Sequence, residues 1–297
     1  MTSIRPHDLV FTLFGEYLLQ RPGRVPVGSL IDLLSPFGLS EGAVRTVLSR
    51  MVRRRWLVSG RGKGRGRYAL SARGRHLLQA GEKRIFHPPW DEPWDGQWYL
   101  LAYSIPESRR RLRNRLRVRL AWLGFGSLGN GLWLSPHDVD REVRELARSF
   151  RLESRLVSFR GPVAGPTDPA QLVRACWDVP GIDRRYAAFI GRWEREYERC
   201  RAAVPAGTLD AEACFVLRFR LIHEYREFLL IDPFLPRALL PPDWSGGDAA
   251  QLFRDLHDLL VAPADLHVDS VLKRSRERGR SSPRGPGTSN TYPRNDP

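Results

Sequence analysis

Lysine is nearly missing from this chain: Lys63, Lys83 and Lys273 are three of 48 basic residues. A general preference for arginine explains part of that, so arginine identity alone carries little weight. Cysteine is scarce as well. Cys176, Cys200 and Cys214 are odd in number and lack Cys-x-x-Cys spacing, which argues against a disulfide framework or a zinc knuckle and fits a reducing cytoplasm. No uninterrupted apolar stretch approaches the roughly 18 residues of a membrane span. The apolar run from Leu9 to Phe14 is bracketed by Asp8 and Glu16, and no small-residue cleavage site follows, so neither export nor membrane insertion is expected.

Catalytic signatures are missing too. His223-Glu224 begins like a zinc-protease helix, but Glu227 stands where the second histidine belongs. Gly126-Ser127-Leu128-Gly129 lacks the glycine two places before the serine of a nucleophile elbow. Gly60 to Gly66 lacks the Lys-Ser/Thr pair of a phosphate-binding loop. No catalytic residue, metal ligand or cofactor is therefore assigned.

What is present is a localised charge. The 297 residues carry a net +15, and 42% hydrophobic content supports two or three ordinary domains. Residues 1–84 hold 16 basic against 5 acidic side chains, residues 85–272 hold 25 against 26, and residues 273–297 hold 7 against 2. A basic head and tail flanking a near-neutral body is the distribution of a polyanion-binding module on a sensing or oligomerising body.

Ser40 to Leu70 organises the head. Ser40 is a good N-cap, and Val44, Val47, Leu48 and Met51 recur at helical spacing, leaving Arg45, Thr46, Ser49, Arg50 and Arg53 on the opposite face. Two short strand-like runs, Trp56 to Val58 and Tyr68 to Leu70, flank a loop in which glycine alternates with Arg61, Lys63, Arg65 and Arg67. A helix followed by a basic hairpin is the reading half of a winged helix-turn-helix. The major groove admits one helix, whose N-terminal side chains reach base edges, while the wing neutralises phosphates. Ser40, Arg45, Thr46, Ser49, Arg50, Arg53, Lys63, Arg65 and Arg67 are the expected contacts to double-stranded DNA. The plain alternative is a solvated basic face beside a flexible loop.

Around this stretch the pattern predicts a helix over Asp8 to Gln20 and a second opening on a capping box, Ser29-x-x-Asp32, with Leu30, Leu33 and Leu34 inward. Ser71 caps a further helix to about Phe86. His87 to Pro93 reads as an extended Pro-rich linker. Beyond it, strand (Trp98 to Ser104), helix (Arg109 to Leu123), strand (Leu132 to Leu134), helix (Val139 to Phe150) and strand (Arg155 to Phe159) point to a small ferredoxin-like module, with a hairpin partner near Phe125 to Leu128. Helices follow from Asp168, one of them striped with Tyr186, Phe189, Ile190, Trp193 and Tyr197. The expected class is a multidomain α+β chain: a winged helix over 1–86, a linker over 87–97, a ferredoxin-like module over 98–165, a helical module over 166–262, and a disordered basic tail over 263–297.

Four separated segments resemble the PaaX family of transcriptional repressors: SPFGLSEGAVRTVLSRMVRRRWL, WDGQWYLLAYSIPESRRRLRNRLR, LGFGSLGNGLWLSP and LIHEYREFLLIDPFLPRALLPPDWSG. The resemblance implies a repressor of phenylacetate-type catabolism, released by an aromatic acyl-CoA thioester such as phenylacetyl-CoA. Candidate effector contacts are Arg109, Arg113 and Arg117, in a run of seven arginines within eleven residues, together with His223, Glu224 and Arg226. The arginine run reads equally as solvated surface or as extra DNA-phosphate contacts, and the histidine cluster as an ordinary surface or domain-interface group. His223 is expected on the polar arc of its helix. A homodimer is expected, since one head buries too little DNA for operator specificity. The alternative function is a metal-dependent, nucleic-acid-processing enzyme with a winged-helix head, and a third is an architectural DNA binder. A nuclease of ferredoxin-like build would carry an Asp at the end of its first strand, where Tyr103-Ser104 stands here.

Overall fold

The computed structural model describes residues 5–62 and 65–280. Helix α1 (Pro6–Leu13) runs into a π-helical turn, Phe14–Leu18, so the expected single helix to Gln20 is shorter and changes its winding. Its apolar stripe of Leu9, Leu13, Phe14, Tyr17 and Leu18 is buried. A two-residue strand β1 (Val25–Pro26) leads directly into α2 (Val27–Leu34). The expected capping box does not form. The extended Pro26 stands at the N-cap, and Ser29 lies one turn inside, fully buried, its Oγ without a partner among the described residues.

The turn that follows obeys its sequence. Ser35–Phe37 makes one 3-10 turn and Gly38 closes it at φ 78°, a left-handed conformation that glycine adopts without strain. Ser40 then caps α3 (Glu41–Arg53), its Oγ accepting from the Ala43 N–H at 3.3 Å. Val44, Val47, Leu48 and Met51 point into the core. Strands β2 (Leu57–Gly62) and β3 (Arg65–Leu70) pair antiparallel with Leu57 opposite Leu70, and β1 joins the far side of β3, giving the order β1-β3-β2.

Ser71 fastens the next element twice. Its Oγ accepts from the Gly74 N–H at 3.0 Å, capping α4 (Ala72–Phe86), and donates to the Arg55 carbonyl at 2.7 Å. After α4 the Pro-rich segment is not the extended spacer that its composition implies. Pro89–Asp91 forms a 3-10 turn, and Trp90 is 5% exposed, stacked on Phe234 and edge-on to Tyr186. Burial of one indole outweighs the extended preference of the prolines around it.

The central module comprises β4 (Trp98–Tyr103), α5 (Arg110–Trp122), β5 (Gly126–Gly129), β6 (Leu132–Ser135), α6 (Asp140–Phe150) and β7 (Leu156–Gly161). Its strands lie antiparallel in the order β5-β6-β4-β7, so β5 is the hairpin partner expected near Phe125 to Leu128. Tyr99, Leu101, Leu116, Leu120 and Val143 belong to a core of its own.

The chain then turns helical: α7 (Pro169–Cys176), α8 (Val179–Ala203), α9 (Ala211–Tyr225) and α10 (Gly246–Arg280), the last packed along α8 and α9. The expected disorder from residue 263 is overturned as far as Arg280. Leu256, Leu260, Ala264, Val268 and Val271 recur every third or fourth residue and are buried, so the stripe carries the helix through Pro263. Residues 281–297 of that expected tail lie outside the described residues. The hydrophobic core that holds α8 to α10 also takes in Leu9, Leu13 and Leu30 of the N-terminal helices. Head and C-terminal helices are thus one packed body. No described helix is long and apolar enough to cross a membrane.

Candidate nucleic-acid interface

Helix α3 buries four apolar side chains on one side and leaves Arg45, Thr46, Ser49, Arg50 and Arg53 exposed on the other, with Ser40 exposed at its cap. The sequence-predicted helix contacts therefore share one solvent-facing surface. Its capped N-terminus adds a partial positive charge toward which phosphate is drawn. Arg45 is held in place by Glu41 one turn earlier, with Nη2 at 2.7 Å and Nε at 2.8 Å from the same carboxylate oxygen. That pair fixes Arg45 beside the first turn of α3.

Arg67 is exposed on β3. Arg65 begins β3, and Lys63 lies outside the described residues. Three further cations belong to this surface that sequence reasoning passed over. Arg54 and Arg55 follow α3, both exposed, Arg55 at φ 58°. The Arg24 guanidinium lies where a side chain at Gly60 of β2 would stand, so glycine there gives a cation room across the hairpin. The missed signal for Arg24 was the Val25–Pro26 strand, too short to show a periodicity.

The head does not hang free. Phe37, in the turn before α3, stacks on Phe219 of α9 at 3.9 Å between ring centroids, and Tyr17 packs on Phe215 at 5.0 Å. In the π-helical turn, Glu16 is paired with Arg218 of α9 and receives Nε2 of His257 of α10 at 2.9 Å. Arg218 reaches Asp265 at 3.2 Å as well. A π-helical turn is a frequent seat of functional or strained side chains, and here it aims a carboxylate into the interhelical core.

The candidate effector residues fall into two groups. His223 leaves the expected polar arc: it is half-buried, with Nδ1 2.9 Å from Thr12 Oγ1 of α1. The reason is that α9 is wrapped on nearly every side, including by the head. Arg226 donates to the Asp8 carbonyl at 2.7 Å and to Thr12 Oγ1 at 2.6 Å, and Glu224 accepts from Arg192 and from the Trp193 indole. His223 and Arg226 thus reach across to the head, whereas Glu224 bonds within the C-terminal helices to α8. Burial, then the charge of Arg226, pulls His223 down to about 4. Arg109 stands at the N-cap of α5 and is exposed, as is Arg117, while Arg113 is half-buried; none of the three bonds to His223, Glu224 or Arg226 among the described residues. Among the described residues, Arg113, with Glu107 at 2.7 Å, is the member of the arginine run that forms an ion pair.

A second polar knot joins all three segments. Arg84 of α4 donates to the Trp122 carbonyl at 2.7 Å, and its guanidinium lies 4.5 Å from the Phe234 ring centroid. Beside Phe234, the buried Asp232 accepts from Tyr186 Oη at 2.7 Å and from the Phe234 N–H at 2.6 Å. Burial pushes its carboxyl up to about 6, against the pull of these donors and of Arg84. His137 of the central module donates from Nε2 to the Pro233 carbonyl at 3.0 Å.

Three family models match in succession: PaaX-like protein over residues 5–74, PaaX protein central Cas2-like domain over 91–173, and PaaX-like protein C-terminal domain over 177–270. The chain is also similar to Transcriptional repressor PaaX of Escherichia coli (strain K12), 33% identical over 265 residues that make up 87% of this chain and 81% of that one. The chain belongs to the PaaX family. Among solved structures, this PaaX-family chain is similar to Uncharacterized protein Rv0674 from Mycobacterium tuberculosis, with a TM-score of 0.53 and 26% identity over 89% of this chain and 96% of that one. The family boundaries separate the first and third matched regions by the central module, yet the fold packs those two regions into one core.

Proposed function

We propose that this PaaX-family chain is a sequence-specific DNA-binding transcriptional repressor acting in the cytoplasm as a homodimer. The observation that carries the reading is the exposed α3 surface, where Arg45, Thr46 and Ser49 stand on a helix capped by Ser40, next to an arginine-bearing hairpin. In this reading α2, its turn and α3 are the helix-turn-helix, and β2 with β3 is the wing. The central module takes a ferredoxin-like topology, supported by two helices crossing between four antiparallel strands in the order β5-β6-β4-β7. Phosphate contacts from the wing position the protein, and base contacts from α3 select the site.

The regulated genes, in this proposal, serve aromatic catabolism of the phenylacetate type, and an aryl-acyl-CoA releases the DNA. Support comes from the family membership and from the repressor named among its relatives. The test is a genome-wide footprint of the protein on its own DNA, repeated with phenylacetyl-CoA. A discrete palindromic site beside aromatic-degradation genes, emptied by the thioester, is the expected result. Uniform, sequence-blind occupancy would overturn the repressor reading.

A further inference from the structure

One cleft is lined by none of the residues that the sequence offered for an effector. It encloses about 1070 Å³ between the end of α4 with the segment that follows it and the N-terminal turns of α10 with the loop that precedes them. Small-molecule sites run from roughly 300 to 1,000 Å³, with mostly aromatic and apolar walls and a few placed polar groups. This cleft is of that size but more polar, with two arginines and two aspartates set among aromatic residues. Half-buried Phe86 and the edges of the largely buried Trp90 and Trp244 line it, and the buried Trp244 Nε1 has no partner among the described residues. Arg237 and Arg254 line it as cations, and neither lies within ion-pair distance of a described carboxylate; their hydrogen bonds go to the Pro242 carbonyl and to Gln251. Asp243 and Asp248 line it too, as acceptors for a ligand's N–H or O–H groups, and neither forms an ion pair among the described residues.

We infer that this cleft binds an aromatic, anionic small molecule, its rings against the tryptophans and its negative groups on Arg237 and Arg254. The inference rests on the effector reading above in one respect: an aryl-acyl-CoA, with aromatic, phosphate and amide groups, is the ligand of that reading which matches these walls. The cleft is also wired to the head. Phe86, in its wall, lies edge-on to His257 at 4.9 Å, and His257 Nε2 meets Glu16 of the head. A ligand that shifts Phe86 acts on the junction that orients α1 and, through it, α3.

The test uses the full-length protein with 1-anilinonaphthalene-8-sulfonate as a fluorescent aromatic anion, and with phenylacetyl-CoA, phenylacetate and free CoA as competitors. Two variants probe the cleft differently. Arg237→Glu/Arg254→Glu reverses its cations, and Gly247→Trp fills it from a position where an added Cβ meets nothing within 4 Å. Both should hold operator DNA as the parent does, which confirms folding, yet bind probe and thioester at least about ten-fold more weakly, a loss of about 1.4 kcal/mol. Equal binding of the probe by parent and both variants would overturn the cleft as the site, even if phenylacetyl-CoA still released DNA from all three, which would leave the effector reading standing. A probe that binds the parent, weakens in both variants and is displaced by no thioester would uphold the cleft and remove the effector reading instead.

Discussion

The carboxylate of Glu16 and the guanidinium of Arg218 form an ion pair in which both side chains are almost wholly buried, at 7% and 6% exposure. One residue belongs to the N-terminal helices and the other to α9, so the pair is a charged rivet through the shared core. Removing one partner of such a pair strands a desolvated charge. Glu16→Ala should cost about 3 kcal/mol, the low end for a broken buried pair because Asp265 remains 3.2 Å from Arg218. The measurement is a urea midpoint; a loss below about 1 kcal/mol would show that the pair is hydrated and weak.

On the DNA surface, Arg45→Ala should cost roughly 1–3 kcal/mol on the cognate operator and flatten the preference at one base pair per half-site. Glu41→Ala is the companion. It breaks an exposed i,i+4 pair, so folding should change by less than about 0.5 kcal/mol. Loss of operator preference without loss of stability would show that Glu41 aims Arg45; equal weakening of operator and scrambled duplex by Arg45→Ala would make Arg45 a phosphate contact.

Arg24 and Arg67 test the hairpin. Replacing both with Ala should weaken operator and random DNA by similar factors, and lower the slope of log affinity against log salt by about 0.9 per lost phosphate contact. A salt titration decides it, and an unchanged slope would take both residues off the phosphates.

Acid should act on two buried groups in opposite directions. Unfolded histidine titrates near about 6.5, whereas His223 is held at about 4 by burial and by Arg226. Between those values the unfolded chain binds the extra proton, so this group removes stability as pH falls. Asp232 is the reverse. Its carboxyl is pushed up to about 6 by burial, above an unfolded value near about 3.9. The folded chain therefore binds the extra proton in that window, and this group adds stability as pH falls from about 6 toward 4. His223→Gln should flatten the acid loss of stability relative to the parent, and Asp232→Asn should steepen it. Urea midpoints taken from pH 7 to 4 read both, and parallel curves for all three proteins would contradict the assignment.

By itself the sequence determined the parts whose information is local. Ser40, the spacing of Val44 to Met51, and Gly38 specify α3, its cap and the turn before it, because caps, periodicity and left-handed turns are settled within a few residues. The strand and helix order of the central module was legible for the same reason. Tertiary structure decided what depends on distant partners. Ser29 resembled a cap and is core, because Pro26 already starts the helix. Trp90 turned a Pro-rich linker inward because Tyr186 and Phe234 offered it a pocket. The stripe ending at Val271 overrode Pro263 and a polar tail composition. His223, polar on a helical wheel, faces Thr12, and the cleft beside Arg237 and Arg254 joins segments about 150 residues apart. A wheel shows which side chains share a helix face, but only packing of the whole chain decides which of those faces meets protein and which meets water.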